Sequence, residues 1–256
     1  MSWDPAQYLK FAGERMRPAV DLLARIPAAA PGTVVDLGCG AGNLAPLLAA
    51  RWPAAKLIGV DGSPEMLARA RAAHPQARFE QGDIGAWRPA RPVDVLFSNA
   101  ALHWLDGHER LFPALIEAVA PGGWLAVQMP RNFSAPSHTS IIEAIEQGPW
   151  RARLEPLLRR EPVAAPGFYW RLLEPRCAEL QLWETEYLQV LEGENPVAEY
   201  TKGTWLQQFL DVLQGAERGA FEAAYRSRVR AWYPPEADGR TLFPFRRLFL
   251  VARRGP

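Results

Sequence analysis

The spacing of apolar and polar positions changes period repeatedly along this chain, and each change marks an element. Thr33-Val-Val-Asp-Leu37 is a short apolar run with β-branched residues, which predicts a buried strand. Glycines at 38, 40 and 42 follow, and Asn43-Leu-Ala-Pro-Leu-Leu-Ala-Ala-Arg51 then takes on helical spacing. The alternation continues. Lys56–Asp61 reads as a strand, and a helix opens at Ser63-Pro64-Glu65-Met66, with Ser63 as N-cap and Pro64 at the first helical position. A third strand ends near Asp83-Ile84, a fourth runs Val93–Asn99, a helix covers 106–119, and a fifth strand runs Trp124–Met129 after the breaker Pro121-Gly-Gly123. Strand and helix in turn over 31–129 predict an α/β fold with a doubly wound parallel sheet. Two later strands, 179–190 and 247–253, bring the sheet to seven. The segment 1–30 reads as helical. The stretches 130–175 and 194–234 are long for connections and read as a lid or substrate wall. All 256 residues are taken as one domain.

Open parallel sheets bind ligands outside the carboxyl ends of their strands. Here four successive ends carry glycine, acid, acid and amide. The first has Asp36, then Gly38 and Gly40, with Asn43 at the start of the next helix; the second has Asp61 and Gly62, with Met66 one helical turn on. The third has Asp83 and Ile84, and the fourth Asn99 and Ala100, with Trp104 just beyond. The glycine spacing is G-x-G-x-G, not the G-x-G-x-x-G that seats a pyrophosphate. Asp36 at the mouth would repel phosphate and welcome an ammonium group. Asp61 stands 21 residues after Gly40, close to the offset of ribose-binding acids. A cofactor with an amino-acid tail, a ribose, an adenine and no phosphate satisfies all four ends, and S-adenosylmethionine is such a molecule.

Composition narrows the partners. The formal net charge of +1 gives no basic footprint for nucleic acid. No apolar run is long enough to span a membrane. Met-Ser-Trp-Asp-Pro at the start lacks the basic flank and apolar stretch of a signal peptide, so the cytoplasm is expected. Two cysteines, Cys39 and Cys177, make no disulfide framework, and His74, His103, His108 and His138 show no metal-ligand spacing, so no metal is expected.

The glycine turn, Asp61, Gln81-Gly-Asp83 and Asn99 together resemble the class I, Rossmann-like S-adenosylmethionine-dependent methyltransferases. The flanks are more specific. Trp3-Asp-Pro-x-x-Tyr8-Leu, Glu14-Arg-x-Arg-Pro-Ala-Val-x-Leu-Leu, Arg51-Trp-Pro-Ala-Ala, Phe97-Ser-Asn-Ala-Ala-Leu-His-Trp-Leu105, Val127-Gln-Met-Pro130 and Leu248-Phe-Leu-Val-Ala-Arg253 resemble the trans-aconitate 2-methyltransferases. The resemblance implies methyl esterification of a carboxylate on a small tricarboxylic acid, and a mostly parallel seven-stranded sheet whose last strand is antiparallel. It also implies a lid-helix arginine after a Gly-Leu pair. Here Lys202-Gly-Thr-Trp-Leu-Gln207-Gln208 places Gln207 at that position, beside Trp205.

An acceptor carboxylate is already ionised at pH 7, so no general base is required and catalysis rests on alignment. A polyacid needs cations and donors. The candidates are Tyr8, Arg15, Arg131, Asn132, His138, Tyr169, Trp170, Arg171, Lys202 and Arg246 or Arg247. Three other functions compete. The first is methyl transfer to another small acceptor, a monocarboxylate, a phenol or an amine; a phenol or amine would want a base, for which His103, His138 or Glu14 are candidates. A nicotinamide-dependent oxidoreductase conflicts with the glycine spacing and with Asp36. A non-catalytic cofactor-binding module would keep the same strand ends without turnover.

Overall fold

The computed structural model describes Gly13 and residues 16–256. Tyr8, Glu14 and Arg15 lie outside the described residues, as does the rest of the expected N-terminal helical segment before residue 16, Gly13 excepted. The chain divides into two compact units. The first comprises the residues up to Pro130, Val163–Thr185 and Arg247–Pro256; the second comprises Arg131–Pro162 and Glu186–Arg246. The second unit takes in much of the two inserted stretches, while 163–175 falls in the first.

The sheet has the order β3-β2-β1-β4-β5-β7-β6, with β1 Thr33–Leu37, β2 Lys56–Asp61, β3 Arg78–Gln81, β4 Val93–Asn99, β5 Val119–Pro130, β6 Cys177–Leu191 and β7 Thr241–Arg254. The neighbours β3, β2, β1, β4 and β5 pair in parallel, and β7 runs antiparallel to β5. From β1 the chain winds outward to β2 and β3, then returns to place β4 on the other side of β1. Right-handed crossovers put the helices of the two halves on opposite faces, and the reversal makes a crevice at the carboxyl ends of β1 and β4.

Helices α1 (Arg17–Ala24), α2 (Ala45–Arg51), α3 (Pro64–Ala73) and α4 (His108–Glu117) belong to the first unit, with α7 (Pro166–Leu173). The second unit contains α5 (Pro136–Gln147), α6 (Arg151–Leu154), α8 (Pro196–Lys202), α9 (Gln207–Leu210) and α10 (Gly215–Trp232). Ser63 caps α3 as its position suggests: its Oγ accepts from the Met66 N–H at 3.2 Å. The central strands are nearly continuous apolar runs, as strands covered on both faces must be.

Two boundaries differ most from the sequence reading. Pro121-Gly122-Gly123 does not precede β5 but lies inside it. The pairing with β4 steps from Val93↔Val119 to Val95↔Trp124, so the extra residues form an irregularity in the ladder rather than a break. Strand β7 begins at Thr241, six residues early, where Phe243 and Phe245 alternate with half-buried and exposed neighbours.

Candidate active site

The polar strand ends converge in the first unit. Gly38 has φ +81°, and a Cβ there would stand 2.2 Å from the Ala101 Cβ, so both backbone and packing require glycine. The N–H groups of Gly38 and Cys39 both donate to the Val60 carbonyl, at 2.8 and 3.0 Å, which ties the turn to β2. Gly40, at φ +53°, has open space where its Cβ would be. The Asp61 carboxylate braces this turn: Oδ2 accepts from Gly40 N–H at 2.8 Å and Oδ1 from Ser63 N–H at 2.9 Å. The 21-residue interval thus becomes a direct contact between the second strand end and the glycine turn. Each oxygen keeps a further acceptor site for a ligand hydroxyl.

Strand alternation sorts the remaining groups. Asp36 pairs with Phe97, and Phe97 with Ala126, so these three share a face. Two residues on, Asn99 pairs with Gln128 on the same face. One step beyond Leu37↔Val60 brings Gly38 level with Asp61 on that face too. A row therefore crosses four strands, Asp61, Gly38, Asn99 and Gln128, with Asp36 one pleat below. Asp36 is buried, and its Oδ1 has no hydrogen-bond partner. Burial, helped by the neighbouring Asp61 charge, raises its carboxyl to about 7. Asn99 Oδ1 and both amide atoms of Gln128 are also buried without partners. Ala100 has φ 54°, alone among described non-glycine residues in the left-handed region, and its N–H donates to the Gln128 carbonyl at 2.9 Å.

The surrounding candidates vary. Ile84 approaches the turn, its Cδ1 lying 3.7 Å from the Cβ position of Gly38. Asp83 is exposed, and its Oδ1 accepts from Gly85 N–H at 2.9 Å. Gly62, Asn43, Met66 and Trp104 are exposed, the last with its ring 4.9 Å from that of His103.

A model of the methyltransferase domain matches residues 8–189. The trans-aconitate 2-methyltransferase of Azoarcus sp. (strain BH72) is 49% identical over 99% of both chains. The chain belongs to the trans-aconitate 2-methyltransferase family. The enzyme of that name from Methylobacterium nodulans is 48% identical over 98% of both chains. Among solved structures, phosphoethanolamine N-methyltransferase 2 of Haemonchus contortus, in complex with S-adenosyl-L-methionine, aligns with a TM-score of 0.56. That match is 17% identical over 94% of this chain and 53% of that one, and it shows the Rossmann-like fold alone. The chain is an S-adenosylmethionine-dependent methyltransferase.

Several polar groups that the sequence suggests for acceptor binding in this methyltransferase are occupied within the fold. Tyr169 is fully buried. His108 Nε2 faces the Leu102 carbonyl at 3.0 Å, which fixes the proton there and leaves Nδ1 to accept from Tyr169 Oη at 2.8 Å. Tyr169 Oη also accepts from Ala164 N–H at 3.2 Å, so the hydroxyl is spent and the expected ligand role becomes a packing role. We expect Tyr169→Phe to lose about 1–3 kcal/mol, the scale for stranding buried partners, with S-adenosylhomocysteine affinity within about twofold. Urea unfolding and a ligand titration measure the two; weakened ligand binding at unchanged stability would contradict the assignment.

In the second unit, Asn132 Oδ1 accepts from Arg246 N–H at 3.2 Å, and its Nδ2 donates to Ser137 Oγ at 3.2 Å. This amide also serves the fold. Ser137 Oγ lies 3.0 Å from His138 Nδ1. The His138 ring contacts Phe133, Trp205 and Phe245. Burial lowers its pKa to about 4, so at pH 7 it is neutral, not a cation for an acid. Lys202, a candidate contact for the acid, is paired with Glu222 at 2.6 Å. Gln207, where the resemblance implies arginine, donates to Asp211 Oδ1 at 2.5 Å.

Arg246 is exposed, with Glu186 at 3.9 Å, while Arg131 is half-buried and its N–H donates to the Arg246 carbonyl at 2.9 Å. In the first unit Trp170 and Arg171 are exposed on α7. Gln128 and the strain at Ala100 had no role in the sequence reading. The signal for Gln128 was present: one amide in the otherwise apolar strand Trp124-Leu-Ala-Val-Gln-Met129.

No helix among the described residues is long and apolar enough to cross a membrane.

Proposed function

We propose that this enzyme esterifies one carboxylate of trans-aconitate, using S-adenosylmethionine as methyl donor and releasing S-adenosylhomocysteine. The observation that carries this reading is the 49% identity to a trans-aconitate 2-methyltransferase along 99% of both chains. The residues at the strand ends fit the donor. A buried, unpartnered Asp36 oxygen beside Asp61 favours a cationic ligand and disfavours a phosphate.

Asp61 would hold the ribose, Asp36 with Gly38 and Gly40 the amino-acid tail, and Asp83, Ile84 and Met66 the adenine. Asn99, Ala100 and Trp104 would flank them at the β4 end. Gly62 and Asn43 complete the proposed set. When bound, S-adenosylmethionine supplies a methyl group already activated on a sulfonium. The chain's own residues then fix distances and exclude water, and alignment of this kind contributes about 7–11 kcal/mol. No proton need move, because the acceptor is ionised. A neutral, caged His138 is consistent with that scheme.

Arg131, Arg171 and Arg246 are the cations we propose to meet the acid, in place of the neutral His138 and of the lid position held by Gln207. Tyr8 and Arg15 stay in the proposal as acceptor contacts. A small-molecule acid as partner and a cytoplasmic location belong to the same reading. A labelled-methyl assay against a panel of di- and tricarboxylic acids tests it. We expect labelled trans-aconitate monomethyl ester, identified by mass. Transfer only to phenols or amines, or to no acceptor, would refute the reading.

A further inference from the structure

We propose that the Gln128 carboxamide binds a carboxylate of the acceptor acid. This inference rests on the methyl-ester reading above. Gln128 lies two residues from the end of β5, in the middle of the sheet, and has no exposed surface. Both of its amide atoms are buried and without a hydrogen-bond partner. Its neighbours along the strand, Trp124, Leu125, Ala126, Val127 and Met129, are all apolar and buried. Nothing in the packing requires an amide there, and a residue of similar volume without polar atoms would remove the penalty of an unsatisfied group. A side chain that weakens the fold in this way is explained by a ligand.

The register says which ligand. Gln128 sits level with Asn99, on the face that also carries Asp36 and Asp61. It lies on the far side of Asn99 from the glycine turn, away from the two acids, with Phe249 as its partner on β7. The acids suit the cationic donor. At the other end of the row the polar group is neutral and carries two free N–H donors, whichever way the amide is turned. An amide can hold a carboxylate by hydrogen bonds without adding a charge. A guanidinium at the same place would draw electron density from the attacking oxygen and would also be attracted by the two acids.

Gln128→Met and Gln128→Leu, with similar volume and no donor, test the inference in the full-length enzyme. Four quantities decide it: Tm, the Kd for S-adenosylhomocysteine, and KM and kcat for trans-aconitate. We expect an unchanged or raised Tm and a cofactor-product Kd within about twofold. KM for the acid should rise about tenfold or more, with a smaller change in kcat, because one charge-assisted hydrogen bond is lost. Gln128→Glu should raise KM further, since it sets two carboxylates against each other. An unchanged KM in a variant that still binds S-adenosylhomocysteine would overturn the inference. So would a lowered Tm or loss of folding in both apolar variants, which would make Gln128 a structural residue. Failure of the wild type to methylate any carboxylate would instead bring down the underlying reading, and the inference with it.

Discussion

Replacing Asp61 with alanine is expected to weaken S-adenosylhomocysteine binding by about 1.5–3 kcal/mol, or about 10- to 150-fold in Kd. The carboxylate has two tasks. It accepts from Gly40 N–H at 2.8 Å and from Ser63 N–H at 2.9 Å, so it holds the glycine turn against the start of α3. In the proposed site it also accepts from the ribose hydroxyls through its remaining lone pairs. The alanine variant loses both and strands two backbone donors. Asp61→Asn separates the tasks, because its one carbonyl oxygen can still brace one N–H but carries no charge. Calorimetric titration with S-adenosylhomocysteine, alongside urea unfolding, reads the two contributions. A folded alanine variant with wild-type affinity would remove Asp61 from the ligand site.

This residue also shows what the sequence discloses and what it hides. The interval from Gly40 to Asp61 is countable in the sequence and marks Asp61 as a ribose acid, but its hold on Gly40 N–H shows only in the fold. The alternation of strands and helices was legible, since period 2 and period 3.6 reflect local geometry, whereas the order of the strands in the sheet was not. Acceptor binding was not legible. Tyr169, Lys202 and His138 look like open donors or cations when read as letters. Only packing shows that Tyr169 is spent on His108 and Ala164, that Glu222 neutralises Lys202, and that three aromatic rings keep His138 uncharged. Those partners lie up to 107 residues away, as between His138 and Phe245, and no spacing rule reaches that far. Gln128 was hidden differently. It shows in the sequence as one amide in an apolar strand, but the partners it lacks are visible only in the fold.

The affinity for S-adenosylhomocysteine is expected to fall as pH drops below 7, and Asp36 is the reason. Burial first, and the Asp61 charge second, raise its carboxyl to about 7 in the free protein. An ammonium group brought beside it stabilises the ionised form, so binding releases a proton wherever Asp36 starts protonated. Below 7 that proton must be displaced, and affinity declines by up to tenfold per pH unit. Between pH 7.5 and 5.5 the loss is roughly 20–30-fold. At alkaline pH a second limb should appear, because the ligand's own α-amino group loses its charge, at a higher pH than the roughly 8 of a peptide N-terminus since its neighbouring carboxylate favours the ammonium form. The profile is therefore bell-shaped, with its maximum between the two. Asp36→Asn should abolish the acid limb and keep the alkaline one, whatever it does to affinity overall. Titrations of both proteins from pH 5.5 to 9 make the comparison. If the two acid limbs fall in parallel, some other group carries the proton, and Asp36 does not face the amino-acid tail.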